Sequence, residues 1–174
     1  MTTAQGIAVL VGVTLFALLA MWFGWKRRGA RTGALVPDLP PVPGADELGR
    51  PAAEVAVVYV STTLAGRWLE RVVAHGLGAR SAAVVSVFGG GVLISRRGAP
   101  DVFISRAALY GVRLADGIAG KVAGGKRLVV MSWQHWATSV DTGVLPRTAA
   151  DRESLVKALT ALTDHGLPPE EESA

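Results

Sequence analysis

Val140-Asp141-Thr142-Gly143 is the one stretch of this chain whose composition fits acid hydrolysis by paired aspartates. That chemistry needs two carboxylates sharing a proton, so a single triplet would have to borrow its mate from a second copy, with a flap and a return strand beyond it. Only 31 residues follow Gly143, most of them helical in pattern, and Ser139 stands where such a site has an apolar residue. Asp141 and Gly143 therefore read as residues that shape the end of a strand. Gly120 to Lys126 has the spacing of a phosphate-cradling loop, but Arg127 replaces the hydroxyl residue that would hold magnesium, and a strand pattern rather than a helix follows. It reads as a flexible basic loop. The three histidines, His75, His135 and His165, have no metal-ligand spacing, cysteine is absent, and no Gly-x-Ser-x-Gly elbow occurs. No catalytic set, no cofactor and no metal are expected, and the chain reads as a non-enzyme.

Charge is the remaining chemical resource. Of 18 Lys and Arg, four (Lys26, Arg27, Arg28 and Arg31) sit in one cluster, which leaves 14 to balance the 14 Asp and Glu of the chain. The excess of +4 is thus local, and it argues for anionic headgroups rather than nucleic acid. Between Glu54 and Pro146 ten basic residues face five acidic ones. Arg96, Arg97, Lys121, Lys126 and Arg127, if they converge, would form a surface for lipid phosphate or an acidic partner. Trp133 and Trp136 bracket a turn; core packing is the favoured role for both, and one of them, Trp136, is a candidate exposed anchor.

These residues must be carried by definite elements. Residues 7–25 are uncharged and mostly apolar, and the basic cluster follows directly. As a helix this block would cover roughly 28 Å, the hydrocarbon thickness of a bilayer. No basic residue precedes it, which places the N-terminus outside and the rest of the chain in the cytoplasm, with Trp22 and Trp25 at the inner interface. A cleaved secretory signal is disfavoured, because the positive n-region and a small-residue cleavage site are missing. Residues 29–51, with Pro37, Pro40, Pro41, Pro43 and Pro51, read as an extended linker, and residues 167–174 as an acidic, disordered tail.

Between linker and tail the pattern is mainly β. Strands are predicted at 55–62, 82–88, 92–96, 101–105, 110–114, 128–133 and 138–144, with hairpin turns at Gly89-Gly90-Gly91 and at 134–137. A helix is predicted over 63–75, stopped by Gly76. A second, amphipathic helix begins near Ala149 behind Thr148 as its cap, with Leu155, Val156, Leu159 and Leu162 on one stripe.

Six or seven antiparallel strands closed by a terminal helix resemble a pleckstrin-homology (PH)-like barrel. The stretches 62–80, 91–113, 117–122 and 139–144 are similar to small membrane-anchored PH-like proteins of high-GC bacteria, often labelled as export or transport proteins. The resemblance covers residues 54–165 and the anchor. It implies a fold and a topology and no established activity. The phosphoinositide signature of paired basic residues across the first hairpin is missing.

The expectation is then a cell-membrane, single-pass protein with an anchor at 1–28 and a cytoplasmic domain at 52–166. It would present a non-catalytic barrel surface or exposed sheet edge to a protein partner, with addition of a partner strand as one mode, or, as the alternative, sense anionic lipid at the inner leaflet.

Overall fold

Strand β1 (Ala53–Leu64) is the strand on which the others are assembled. Val55, Val57 and Tyr59 alternate inward, and a bulge between Tyr59 and Ser61 then shifts the register and bends the sheet. The computed structural model describes residues 3–36, 38–122 and 124–164. In chain order, β1 is preceded by α1 (Thr3–Leu35) and α2 (Ala45–Leu48) and followed by β2 (Arg67–Arg71), a 3-10 turn (Ala74–Gly76), β3 (Ser81–Phe88), β4 (Gly91–Arg96), β5 (Val102–Ser105) and β6 (Leu109–Ala115). Then come β7 (Gly117–Ile118), β8 (Lys121–Val122), β9 (Leu128–His135), β10 (Thr138–Pro146) and α3 (Ala149–Asp164).

The large sheet is antiparallel, in the order β5-β4-β3-β1-β10-β9-β6, with β2 paired to the far end of β1. Eight strands replace the expected six or seven, and the barrel is not closed: β5 and β6 are its two free edges. Helix α3 fills the concave face instead. Thr148 and Asp151 cap it reciprocally, the Asp151 amide donating to Thr148 Oγ1 and the Thr148 amide to Asp151 Oδ2. Leu155, Leu159 and Leu162 then enter a core of Val57, Val85, Ile94, Ile104, Met131, Trp133 and Val144. Each fully buried side chain of this kind contributes about 1.5–3 kcal/mol. The hairpin β7–β8 folds over the outer face and encloses a second, smaller core of Val60, Ile118, Leu128 and Val130.

Two further expectations are corrected. Residues 63–75 are not a helix: β1 continues to Leu64, Ala65 and Gly66 turn, and β2 returns. Gly66 adopts φ +72°, and the Ala65 amide donates to the Ser139 carbonyl, so pairing with β10 overrides a helix-compatible spacing of apolar residues. Residues 29–35 are not extended linker but the last two turns of α1. The chain beyond it is docked rather than loose. Val36 is buried, Leu39 packs on the main core, and the Val36 carbonyl accepts from His75 Nε2 at 3.0 Å. A carbonyl can only accept, so this contact fixes the His75 proton on Nε2.

Along α1, Leu10, Val11, Val13, Leu15, Phe16, Leu19, Trp22 and Phe23 are all exposed, on every face of the helix. Among the described residues no helix is long and apolar enough to cross a membrane. The side chains of Trp25, Lys26, Arg27, Arg28 and Arg31, together with His165 and the acidic tail, lie outside the described residues.

Candidate functional site

The expected basic surface does not assemble. Arg97 and Trp136 lie at the end of the sheet where β1 finishes, beyond β4 and in the two-residue turn between β9 and β10. Lys126 and Arg127 precede the first residue of β9 and Trp136 follows its last, so an eight-residue strand of about 26 Å separates them. The Lys126 amide donates to Asp116 Oδ1, and Arg127 Nε donates to the Gly124 carbonyl, which holds that loop locally. Lys121 is in β8 and its side chain lies outside the described residues.

Arg96 is removed from any solvent-facing role. It is buried, and its guanidinium donates to three main-chain carbonyls: Nε to Pro100 at 2.7 Å, Nη1 to Gly76 at 3.0 Å and Nη2 to His75 at 3.2 Å. The same group lies 4.7 Å over the Tyr59 ring. Burial lowers the Arg96 pKa, with Tyr59 and Asp101 acting in the opposite sense. Burial likewise pushes Tyr59 up to about 12, against the hydrogen bond from Thr62 and the charge of Arg96. Arg96 therefore staples the 3-10 turn to the β4–β5 turn, and His75 on that turn holds Val36.

A chain of hydroxyls runs inward from there. Tyr59 OH donates to the Leu77 carbonyl, so it must accept from Thr62 Oγ1 at 2.7 Å. Thr62 must then accept from Thr142 Oγ1 at 2.8 Å, and Thr142 accepts from Trp133 Nε1 at 2.9 Å. With one proton per hydroxyl the chain has one direction and leaves none of its members unsatisfied.

On the outer face, Asp141 accepts from Ser132 Oγ at 2.6 Å and from Arg113 Nη2 at 3.0 Å. Tyr110, Gly66, Ile118 and Asp141 line an open hollow of about 540 Å³ beside them. One carboxylate, already satisfied by a serine and an arginine, has the chemistry of a structural clasp. Among the described residues no group of three His, Asp or Glu could hold a metal ion.

The free edge of β6 offers the other accessible surface. At one end Leu109, Tyr110, Arg106 and Leu162 border a hollow of about 730 Å³, where the barrel stays open between β5, β6 and α3. At the other end Leu114, Arg152, Glu153, Val156 and Lys157 border one of about 440 Å³. Tyr110 and Leu114 are exposed. The sequence implied an exposed sheet edge without saying which strand carries it, and Tyr110 and Leu114 were not singled out.

The open sheet with its C-terminal helix is similar to solved structures that carry low sequence identity. One is "Apo structure of the activated truncation of Vav1", at 11% identity and a TM-score of 0.46, covering 83% of this chain and 33% of that one. A second is "Vav1 inhibited by an allosteric inhibitor: Vav1 inhibitors block GEF activity", at 13% identity and a TM-score of 0.42, covering 82% and 33%. The chain spans about a third of the length of these relatives. No curated protein matches it. A family profile described as "Bacterial PH domain-like" matches residues 36–160, from the buried Val36 almost to the end of α3. This chain belongs to the bacterial PH domain-like family.

Proposed function

We propose that this chain is a membrane-anchored, non-catalytic interaction module that takes an extended segment of a protein partner along the free edge of β6. The observation that carries the reading is the unclosed sheet. An edge strand presents unpaired N–H and C=O groups in a row, and addition of a partner strand satisfies them. Here the edge is flanked by hollows at both ends, with Tyr110 and Leu114 placed to grip alternate side chains. The hydroxyl–carboxylate contact beside the outer hollow, Ser132 with Asp141, is neutralised by Arg113, which favours binding over turnover.

Anchoring is part of the proposal. Its support is the apolar block 7–25 followed by Lys26, Arg27, Arg28 and Arg31, together with a helix whose apolar residues point outward on every face. The domain then stands on the cytoplasmic side. The test is partner capture from membranes in mild detergent with the full chain and with Tyr110→Glu/Leu114→Glu. The expected result is one stoichiometric partner lost in the double variant. Recovery of nothing above background, or of the same partner undiminished by the variant, would count against the β6 edge.

A further inference from the structure

Helix α3 delivers the chain to the lip of a hollow. Asp164, its last residue, lines the space of about 730 Å³ between β5, β6 and α3, together with Leu109, Tyr110 and Leu162. Leu109 and Leu162 are buried, and Tyr110 is exposed. Arg106 borders the same hollow, half-buried, with its amide donating to the Gly90 carbonyl. Among the described residues no carboxylate pairs with its guanidinium, Asp164 included.

Residues 165–174 follow, and their order matches that hollow. Counted from Asp164 as the last helical residue, Gly166 falls where a helix stop takes φ > 0. Leu167 falls at the next position, whose side chain packs on the third residue from the helix end. That residue is Leu162, on the wall of the hollow. Pro168 and Pro169 cannot continue a helix. They fix an extended polyproline course, the form of chain that docks on exposed aromatic rings, and Tyr110 is such a ring. At about 3.1 Å per residue, Glu170 to Glu172 lie about 9–16 Å beyond Leu167. That keeps the three carboxylates out of the apolar interior, where charge is costly, and the cation beside the hollow is Arg106.

We propose that residues 165–174 fold back on the domain as a built-in cap. Leu167 fills the hollow against Leu109 and Leu162, Pro168 and Pro169 cover Tyr110, and the glutamates pair with Arg106. The cap occupies the Tyr110 end of the β6 edge and leaves the Leu114 end open. A partner strand has to lift it before pairing along the whole edge. The seating stands by itself, and only this competition rests on the strand-addition reading.

Cleavage by a glutamate-specific protease at Glu170 to Glu172 measures the seating. It is followed by mass spectrometry in the full chain in mild detergent and in a free peptide of residues 165–174. The expected result is cleavage of the parent about tenfold slower than of the peptide, because the protease cuts only the lifted tail. Leu167→Ser should restore the peptide rate, and Tyr110→Ala or Arg106→Ala should each raise the parent rate several-fold. Tyr110 is exposed, so its truncation leaves the fold in place. Parent cleavage at the peptide rate overturns the cap. Protection that survives all three substitutions also overturns it, and would give the tail to another surface or a second copy. Partner capture with Leu167→Ser then tests the competition: greater recovery than with the parent supports it, and equal recovery overturns it. Recovery of no partner from either chain overturns the strand-addition reading and leaves the cap to be decided by proteolysis alone.

Discussion

The two faces of the central strands put similar side chains to different use. On the inner face Trp133, Thr142, Thr62, Tyr59 and the Leu77 carbonyl form a one-way chain of hydrogen bonds, closed at its end by Arg96 over the Tyr59 ring. On the outer face Ser132, Asp141 and Arg113 form a clasp beside an open hollow. Both sets are fully paired. What differs is access to water, which decides the cost of breaking each: a partner lost in a dry interior leaves an unsatisfied group, whereas one lost beside solvent is replaced.

The largest effect is expected from Arg96→Ala. Three carbonyls, of His75, Gly76 and Pro100, would lose their donor in a buried setting. At about 1 kcal/mol or more each, the loss is on the order of 3 kcal/mol. The 3-10 turn would loosen and release Val36, so the urea midpoint should fall and proteolysis between α1 and β1 should accelerate. A midpoint shift as small as that of a surface arginine would mean the inner face is wet.

Tyr59→Phe cuts the same chain at its last hydroxyl and should lower stability by about 1–2 kcal/mol at neutral pH. It also carries a signature no outer residue has. The folded-state pKa of Tyr59 is raised from 10.0 to about 12, so the unfolded chain releases this proton first. The stabilisation is complete below pH 10 and is lost as pH rises from 10 toward 12, by up to about 2–3 kcal/mol. Alkaline denaturation of the parent should show this slope, and in Tyr59→Phe it should flatten. An unchanged slope would place the ionisation elsewhere.

Gly143→Ala tests whether the small outer core is as tightly packed as the main one. A Cβ there would come within 2.8 Å of Ile118 Cγ2 and 3.2 Å of Leu128 Cδ2. Ile118 sits on the short β7–β8 hairpin, which can shift outward, so a loss of about 1 kcal/mol is expected. Thermal unfolding measures it, and a loss of several kcal/mol would mean the hairpin is rigidly held.

Much of this frame was legible in the chain, and the failures share a cause. The hairpin at Gly89-Gly90, the strand at 138–144 and the Thr148 cap are local signals, set by turn conformation, alternation and a side chain three residues from its target. Residues 63–75 were misread because Leu64, Trp68 and Val72 satisfy helical spacing, while the determinant of the strand, pairing with β10 some 75 residues later, has no local trace. Arg96 was taken for a surface cation because its acceptors are backbone carbonyls, which every residue carries. The docking of Val36 was hidden for the same reason: a proline-rich stretch reads as linker until the histidine that holds its carbonyl is placed beside it. An exposed edge was expected, but that β6 carries it was not legible, because strand order is set by long-range pairing.

Arg113→Ala should have the smallest effect and separates the two faces most cleanly. It removes one hydrogen bond of 3.0 Å from Asp141, a carboxylate nearly as buried as the inner hydroxyls. Burial alone would forecast a large loss, because an unpaired buried charge is costly. The guanidinium, however, is half-exposed, Ser132 Oγ still donates at 2.6 Å, and the hollow of about 540 Å³ brings water to the vacated oxygen. A loss of about 0.5–1 kcal/mol is therefore expected. It should shrink as salt is raised, because the attraction removed is one that ions already screen. Urea titrations of parent and variant at low and high salt give both numbers. A salt-independent loss near that of Arg96→Ala would show that water does not reach Asp141, and the two faces would then differ in composition but not in solvation.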